Sequence, residues 1–349
     1  MERSDQTLFY VGTYNPEGEE SIFLCTLDLA SGEMRVLDGT KGIANPSYLA
    51  VNSAKSIIYA VSETDEGKIY AFAIDPRTRT LSNLGSQPTG GGAPCYVSIS
   101  PQENFVFVSN YSGGNINVFP VNTDGSLMPM SSQVLHTGSG VREDRQEAAH
   151  PHSIFPDGSG ERVLVCDLGL DQVLFYQLEE GKLTAHREIN LPPGSGPRHL
   201  AFHPSGKWVY AVNELNNTVT VFTYDEVFGN LNVLQHVSTL PEHYGAGSDD
   251  NAADIHISSC GRYLYASNRG HDSIVLFAID DSSGVLTAID WQTSGGRTPR
   301  NFAIREQFLL VANQNSGSIT SYMIDSDNGR LIPTGNDLAL PTPVCIKFL

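Results

Sequence analysis

The chain has little positive charge and no long apolar run. It holds 21 Lys and Arg against 39 Asp and Glu, for a formal net charge of −18. A chain this acidic repels nucleic acid and anionic membrane surfaces unless basic residues cluster, and no run of Lys or Arg forms such a cluster. No stretch of about 18 apolar residues predicts a transmembrane helix. We therefore expect neither a nucleic-acid partner nor a membrane partner.

Cysteine is also scarce, with five widely spaced residues: Cys25, Cys95, Cys166, Cys260 and Cys345. An odd number at such spacing favours reduced, buried thiols over a disulfide framework. The first residues, MERSDQTLFYVGTY, lack the apolar segment and cleavage site of a signal peptide, so a cytoplasmic location is expected.

Recognisable cofactor and metal motifs are missing as well. There is no P-loop, no Rossmann fingerprint and no GxSxG motif. His150 and His152 flank Pro151, but two ligands are too few for a closed zinc site. We expect no cofactor and no metal.

What the chain does contain is one short phrase repeated seven times, an apolar run followed by a polar and a variable residue. Successive copies lie 45–57 residues apart, a period typical of a four-stranded propeller blade. The copies are YVGTY (Tyr10–Tyr14), YAVSE (Tyr59–Glu63), FVSNY (Phe107–Tyr111), LVCDL (Leu164–Leu168), YAVNE (Tyr210–Glu214), YASNR (Tyr265–Arg269) and LVANQ (Leu310–Gln314).

Three further strands accompany each phrase. An alternating apolar run follows it, then a turn and a short strand that starts at a leucine, such as Leu127. Another strand, usually after a proline, precedes six of the phrases, and VCIKF after Pro343 supplies the seventh. The sequence predicts an all-β, seven-bladed propeller with four-stranded blades. Its C-terminal strand would pair with the N-terminal blade, making residues 1–349 one domain.

The repeat also selects candidate functional positions. Two longer connections, residues 133–150 and 240–254, fall at the same point of the repeat and should emerge on one face. The first residues of the post-proline strands should point to that face, and so should the last residues of the phrases. The first set is Ser47, Cys95, His152, Arg198, Ala253, Arg300 and Val344, and the second is Tyr14, Glu63, Tyr111, Leu168, Glu214, Arg269 and Gln314.

Most charged members of these sets belong to blades four to six. Three arginines, one histidine and one glutamate predict a pocket that binds an anion and holds a general acid or base. Asp254 and Asn301, which neighbour the selected positions, should face between blades. The five are His152, Arg198, Glu214, Arg269 and Arg300.

Several motifs resemble the propeller lactonase family, which includes bacterial 6-phosphogluconolactonases and fungal 3-carboxy-cis,cis-muconate lactonizing enzymes. The resemblance spans nearly the whole chain. The motifs are FYVGTY, the DRQE segment (Asp144–Glu147), HPHSIFPDG (His150–Gly158), GPRHLAFHPSGKWVYAVNE (Gly196–Glu214), NRGHDSI (Asn268–Ile274) and the closing CIKF.

The resemblance implies a catalytic set of His152, Arg198, Glu214 and Arg269. Around it we expect substrate contacts from Arg300, Tyr111, Glu63, Gln314, His150 and Arg145. Either His152 or Glu214 would move the proton, while Arg198 and Arg269 would bind the substrate's anionic group and stabilise the oxyanion.

The implied function is hydrolysis of a small anionic sugar lactone, foremost 6-phosphogluconolactone to 6-phosphogluconate in the pentose phosphate pathway. A muconate-type cycloisomerase with the same pocket is the alternative, and a non-catalytic interaction scaffold is the second. A monomer or small homo-oligomer is expected.

Overall fold

The computed structural model describes residues 6–349. Residues 1–5, which begin the segment interpreted as lacking a signal peptide, lie outside the described part. Between residues 6 and 349 no helix is long and apolar enough to cross a membrane.

The described residues form 28 strands and one 3-10 turn at Gln314–Ser316. The strands are β1 (Gln6–Thr13), β2 (Ile22–Asp28), β3 (Met34–Thr40), β4 (Leu49–Val51), β5 (Ile57–Ser62), β6 (Lys68–Ile74), β7 (Leu81–Pro88), β8 (Pro94–Ile99), β9 (Phe105–Asn110), β10 (Asn115–Pro120), β11 (Ser132–Leu135), β12 (Pro151–Pro156), β13 (Arg162–Asp167), β14 (Gln172–Glu179), β15 (Lys182–Asn190), β16 (Pro197–Phe202), β17 (Trp208–Asn213), β18 (Thr218–Asp225), β19 (Asn230–Ser238), β20 (Asn251–Ile257), β21 (Tyr263–Arg269), β22 (Ser273–Ile279), β23 (Leu286–Thr293), β24 (Pro299–Arg305), β25 (Phe308–Asn313), β26 (Ser318–Ile324), β27 (Leu331–Ala339) and β28 (Pro343–Phe348).

These strands pair into seven four-stranded sheets. Six sheets use four consecutive strands each, from β4–β7 to β24–β27. The remaining sheet has the order β28-β1-β2-β3, so the last strand of the chain pairs with the first, as predicted. The rings of Phe9 and Phe348 pack there with centroids 5.5 Å apart.

The chain divides into two compact units. The first, here called the C-terminal unit, contains residues 6–9, Cys25–Leu37 and Arg198–Phe348. The second, the N-terminal unit, contains Tyr10–Leu24, Asp38–Pro197 and Leu349. The expectation of a single domain over residues 1–349 stays a prediction.

The side chains that alternate onto one face of each strand form the core of each unit. The tyrosine that opens some of the repeated phrases adds a hydrogen bond from its hydroxyl group to a distant turn. In the C-terminal unit the buried Tyr210 hydroxyl donates to the carbonyl of Gly284 (3.0 Å), and the Tyr265 hydroxyl donates to that of Gly329 (2.7 Å). Gly284 has φ of +75°, and a Cβ there would lie 2.5 Å from the Trp208 ring. Only glycine fits this turn, which presents its carbonyl to the tyrosine.

One outer strand differs from the prediction. The strand expected to start at Leu127 is reduced to an isolated bridge between Leu127 and Val121, and β11 starts five residues later at Ser132. Pro129 explains the gap, since it has no N–H to donate to a ladder. The long connections are shorter than expected as well, because Gln133 belongs to β11 and β20 begins at Asn251.

Candidate active site

Three predicted residues come together in the C-terminal unit. Nε of Arg198 and Nη2 of Arg269 both approach Oε2 of Glu214, at 2.9 and 2.8 Å. The side chains of Arg198 and Glu214 are each only 3% exposed, and that of Arg269 is 14% exposed. We call this group the arginine–glutamate cluster. Its two cations and one anion leave a local net positive charge inside a strongly acidic chain.

Backbone carbonyls fix the outer ends of both guanidinium groups. Nη1 of Arg198 donates to the carbonyl of Ala253 (2.6 Å), and Nη2 of Arg269 donates to that of Ala252 (2.9 Å). Burial lowers the pKa of Arg269 to about 10; the Glu214 carboxylate opposes this, and the positive charges of Arg198 and Arg300 add to it. Arg269 is therefore protonated at neutral pH, and Arg300 acts on the cluster electrostatically.

Four strands carry bulges at positions that were selected from the repeat. In β12 the pairing passes from Pro151–Asp167 directly to Ser153–Cys166, so His152 occupies a bulge. The same shift occurs at Cys95 in β8, Arg300 in β24 and Ala253 in β20. A bulge changes the direction of its side chain relative to the regular alternation, and bulges recur next to active sites. Proline at the first position predicted the strand starts but not these bulges.

In the N-terminal unit the structure brings together Tyr111, His150, His152 and Arg145. The rings of Tyr111 and His150 stack, with centroids 4.4 Å apart, and Tyr111 meets His152 edge-on at 5.8 Å. Nδ1 of His150 donates to the Tyr111 carbonyl (2.9 Å), and Nε2 lies 3.1 Å from Oε1 of Glu147. Nη2 of Arg145 donates to the Tyr111 hydroxyl at 3.4 Å. These residues form an aromatic group beside a cation.

The structure also places two other predicted substrate contacts, Glu63 and Gln314. Glu63 accepts a hydrogen bond from the Tyr14 hydroxyl (2.9 Å) in the N-terminal unit. Gln314 opens the 3-10 turn of the C-terminal unit, where its Oε1 is buried without a hydrogen-bond partner. Their roles as substrate contacts stay predictions.

The glycine-rich segment before Arg198 is occupied by an internal carboxylate. The backbone N–H groups of Gly194 and Gly196 donate to the two oxygens of Asp171, both at 2.7 Å. Nε2 of Gln146, from the long connection before β12, donates to Asp171 as well (2.8 Å). These N–H groups therefore bind an internal carboxylate, and the segment leads into β16 at Pro197.

Sequence reasoning missed one residue, His199, the neighbour of Arg198. It is buried and its Nδ1 lies 2.7 Å from Oδ1 of Asp254. Nη1 of Arg198 lies 3.2 Å from its Nε2. The signal was present in GPRH, but the positions selected from the repeat included Arg198 and not its neighbour. Asp254 and Asn301 do connect neighbouring sheets, since Nδ2 of Asn301 donates to Oδ2 of Asp254 (2.5 Å).

No group of three His, Cys, Asp or Glu side chains within residues 6–349 is arranged to hold a metal ion.

Comparison with known proteins defines the class. The family model described as "Lactonase, 7-bladed beta-propeller" matches residues 8–348. The chain belongs to this family of lactonases, which confirms the predicted seven-bladed propeller fold and the resemblance that its motifs suggested. A lactone hydrolase is thereby confirmed at the level of the family.

Particular relatives carry more specific names. A 6-phosphogluconolactonase of Bacillus subtilis is 36% identical over 343 residues, covering 97% of each chain. One of Formosa agariphila is 34% identical over 336 residues, covering 92% of this chain and 94% of the relative. Among solved structures, a putative 6-phosphogluconolactonase of Bacteroides fragilis superposes with a TM-score of 0.93 at 34% identity, covering 100% and 99% of the chains. A periplasmic gluconolactonase of Pseudomonas aeruginosa gives 0.91 at 31%, covering 99% of both.

Proposed function

We propose that the protein hydrolyses 6-phosphogluconolactone to 6-phosphogluconate. The observation that carries the proposal is the buried arginine–glutamate cluster, which concentrates positive charge in an otherwise acidic molecule. Relatives from two genera bear the name 6-phosphogluconolactonase, and this chain matches each over nearly its whole length.

The cluster suits the charge that develops during ring opening. When water adds to the lactone carbonyl carbon, negative charge forms on the carbonyl oxygen. The bond from that carbon to the ring oxygen then breaks, and the ring oxygen takes a proton and becomes a hydroxyl. Arg198 and Arg269 are buried and fixed by Glu214 and by backbone carbonyls, so they would stabilise the oxyanion with little reorganisation.

The contacts of Glu214 favour His152 as the proton-transfer group. Both guanidinium groups approach one oxygen of Glu214, so this carboxylate is engaged in ordering the cations. Taking a proton would weaken both ion pairs. His152 is a neutral-pH base by residue type and occupies a bulge in β12. We assign it the activation of water, on the family resemblance, and Glu214 the orientation of the two arginines.

Arg145 is the proposed contact for the phosphate group. It lies on the long connection before β12, beside the Tyr111 hydroxyl. Arg142, three residues earlier, instead forms a charge-paired fork with Asp144, its Nε and Nη2 donating at 3.0 and 2.8 Å. The two arginines of one loop therefore offer a matched pair for testing phosphate recognition.

An unphosphorylated sugar lactone is the second candidate substrate. The Pseudomonas relative is named a periplasmic gluconolactonase, and its structure superposes closely on this chain. We propose a cytoplasmic location, which suits the reduced cysteines, four of them buried, and a monomer or small homo-oligomer.

Steady-state assays at mildly acidic pH, where spontaneous hydrolysis is slow, test the substrate. The wild type should open 6-phosphogluconolactone with higher kcat/KM than glucono-δ-lactone. Arg145→Gln should raise KM for the phosphorylated lactone about tenfold, the loss of one charge-assisted contact, and leave glucono-δ-lactone unaffected. Arg142→Gln is the control and should change neither.

Other outcomes of these assays contradict the proposal in distinct ways. A preference for glucono-δ-lactone, with no effect of Arg145→Gln, would assign the unphosphorylated substrate. Closure of 3-carboxy-cis,cis-muconate without lactone hydrolysis would assign the cycloisomerase. No turnover of any of the three would favour a scaffold.

A further inference from the structure

His199 is buried between Arg198 and a carboxylate. Nη1 of Arg198 lies 3.2 Å from Nε2 and 3.4 Å from Nδ1 of His199, so the guanidinium group rests against the imidazole ring. On the other side Nδ1 lies 2.7 Å from Oδ1 of Asp254. The side chains of His199 and Asp254 are only 4% and 2% exposed. The arrangement is a continuous buried chain from Asp254 through His199 to Arg198.

Asp254 is itself held from several strands. Its Oδ2 accepts from Nδ2 of Asn301 on β24, and Nε2 of His256 lies 3.0 Å from the same oxygen. Its backbone N–H donates to the Ser267 hydroxyl of β21 (3.0 Å). Asn301 in turn accepts from the backbone N–H of Ile346 on β28 (2.7 Å). The carboxylate of Asp254 on β20 is therefore oriented by Asn301 of β24, which is held in turn by β28.

The surroundings keep His199 neutral. Burial, followed by the positive charge of Arg198, lowers its pKa to about 3, although Asp254 opposes the shift. For Asp254 burial acts to raise the pKa, but His256 and His199 outweigh it and hold the value well below the ordinary range. With Nδ1–H donated to Asp254, the imidazole presents electron density rather than a second positive charge to Arg198.

We propose that His199 and Asp254 form a positioning pair that fixes the guanidinium group of Arg198 for oxyanion stabilisation. The proposal rests on the function proposed above. Arg198 has three attachments: Glu214 at Nε, and His199 and the Ala253 carbonyl at Nη1. Ala253 precedes Asp254 in β20, so the strand that orients His199 also supplies the carbonyl. A long flexible side chain is thereby held in one rotamer before substrate arrives.

His199→Gln tests the pair, because glutamine keeps a polar group of similar reach but cannot rest a ring against Arg198. We expect kcat to fall about 10- to 100-fold with KM within about threefold, as for loss of an interaction made in the transition state. His256→Gln is the matched control. It contacts Oδ2 of Asp254, which Asn301 also holds, whereas His199 contacts Oδ1, and its side chain is 35% exposed, so kcat should stay within about threefold. Equal losses in both variants would overturn the proposal.

A double-mutant cycle separates positioning from a general structural effect. In an Arg198→Lys background the geometry that His199 supports is already lost, so His199→Gln should cost less than about threefold further in kcat. If the two losses multiply, His199 acts independently of Arg198 and the proposal is wrong.

A readout without turnover keeps this inference distinct from the proposed function. The Nε–H signal of Arg198 in a ¹H–¹⁵N spectrum is assigned by its loss in Arg198→Lys. It should be sharp in the wild type and should broaden or exchange faster with water in His199→Gln, but not in His256→Gln. If the wild type opens no lactone, the proposed function fails while this spectrum still decides the positioning role. An unchanged signal in His199→Gln would overturn it.

Discussion

At the scale of single residues, the chain largely buries two of its arginines against one glutamate. Arg198 and Arg269 share one oxygen of Glu214, and each also donates to a carbonyl of β20. Charges of opposite sign this well buried interact far more strongly than charges on the surface. The cluster is therefore ordered before any substrate binds.

The neutral His199 makes stability depend on pH in a defined window. Its folded-state pKa is about 3, against an ordinary value near 6.5 in the unfolded chain. Between these values the unfolded state binds more protons, so stability falls as pH falls below about 6.5. The buried, neutral His199 should therefore lower the unfolding free energy by about 2 kcal/mol when the pH falls from 7 to 5.

Urea unfolding of the wild type and His199→Gln at pH 7 and pH 5 measures this contribution. Glutamine does not titrate, so the decrease in unfolding free energy on acidification should be smaller in the variant by about 2 kcal/mol. Asp254 is ionised at both pH values, since its pKa lies well below its ordinary range. An equal decrease in both proteins would show that His199 is not held neutral.

At the scale of elements, the tyrosine of the repeated phrase ties strands to distant turns. In the N-terminal unit the Tyr10 hydroxyl donates to the Arg79 carbonyl (2.6 Å) and the Tyr59 hydroxyl to the Gly125 carbonyl (3.0 Å). Tyr210 and Tyr265 do the same in the C-terminal unit. Burial raises the pKa of Tyr59 to about 12, so the hydroxyl stays a donor.

Replacing these tyrosines by phenylalanine tests how much the hydroxyl–carbonyl hydrogen bonds stabilise the fold. Tyr59→Phe and Tyr265→Phe should each lower the unfolding free energy by about 1 kcal/mol, because each leaves a buried carbonyl without its donor. The two lie in different units and share no partner, so the losses should add in the double variant. Denaturant unfolding measures both. Losses below about 0.3 kcal/mol would mean that these hydrogen bonds stabilise the folded state no more than hydrogen bonds to water stabilise the unfolded chain.

The elements also show what the sequence could predict. The seven phrases predicted the number of sheets, and the strand after Pro343 predicted the pairing of β28 with β1. Both predictions were possible because they depend on the periodicity of the sequence. The bulges at Cys95, His152 and Arg300 were not predictable from the sequence. A bulge depends on how two strands pair, and the sequence periodicity of a single strand does not show it. Pro129 is a sequence signal that the outer strand does not begin at Leu127, because proline has no N–H to donate to the neighbouring strand.

The candidate site was predictable in the same uneven way. Arg198, Glu214 and Arg269 were selected as charged residues at two positions of the repeat that should converge on one face, and the structure brings all three together. His199 was missed because the selected positions included Arg198 and not its neighbour. Its function depends on Asp254, 55 residues away, and no local pattern reports such a pair.

At the scale of the whole molecule, a chain with net charge −18 belongs to a lactonase family whose named relatives act on sugar lactones. The overall charge repels nonspecific anions, and the proposed function requires the small cluster of opposite sign to bind one. We therefore propose that catalysis depends on the arginine–glutamate cluster rather than on the net electrostatic field.

The most direct measurement is the rate of 6-phosphogluconolactone opening above the spontaneous rate, by wild type, Arg198→Lys and Glu214→Gln, with Glu63→Gln for comparison. Both cluster variants should lose at least about 100-fold in kcat/KM, as for removal of an oxyanion-stabilising group or its support. Glu63→Gln, whose partner is the Tyr14 hydroxyl, should lose less than about tenfold. Cluster variants with wild-type rates would show that catalysis does not depend on the arginine–glutamate cluster.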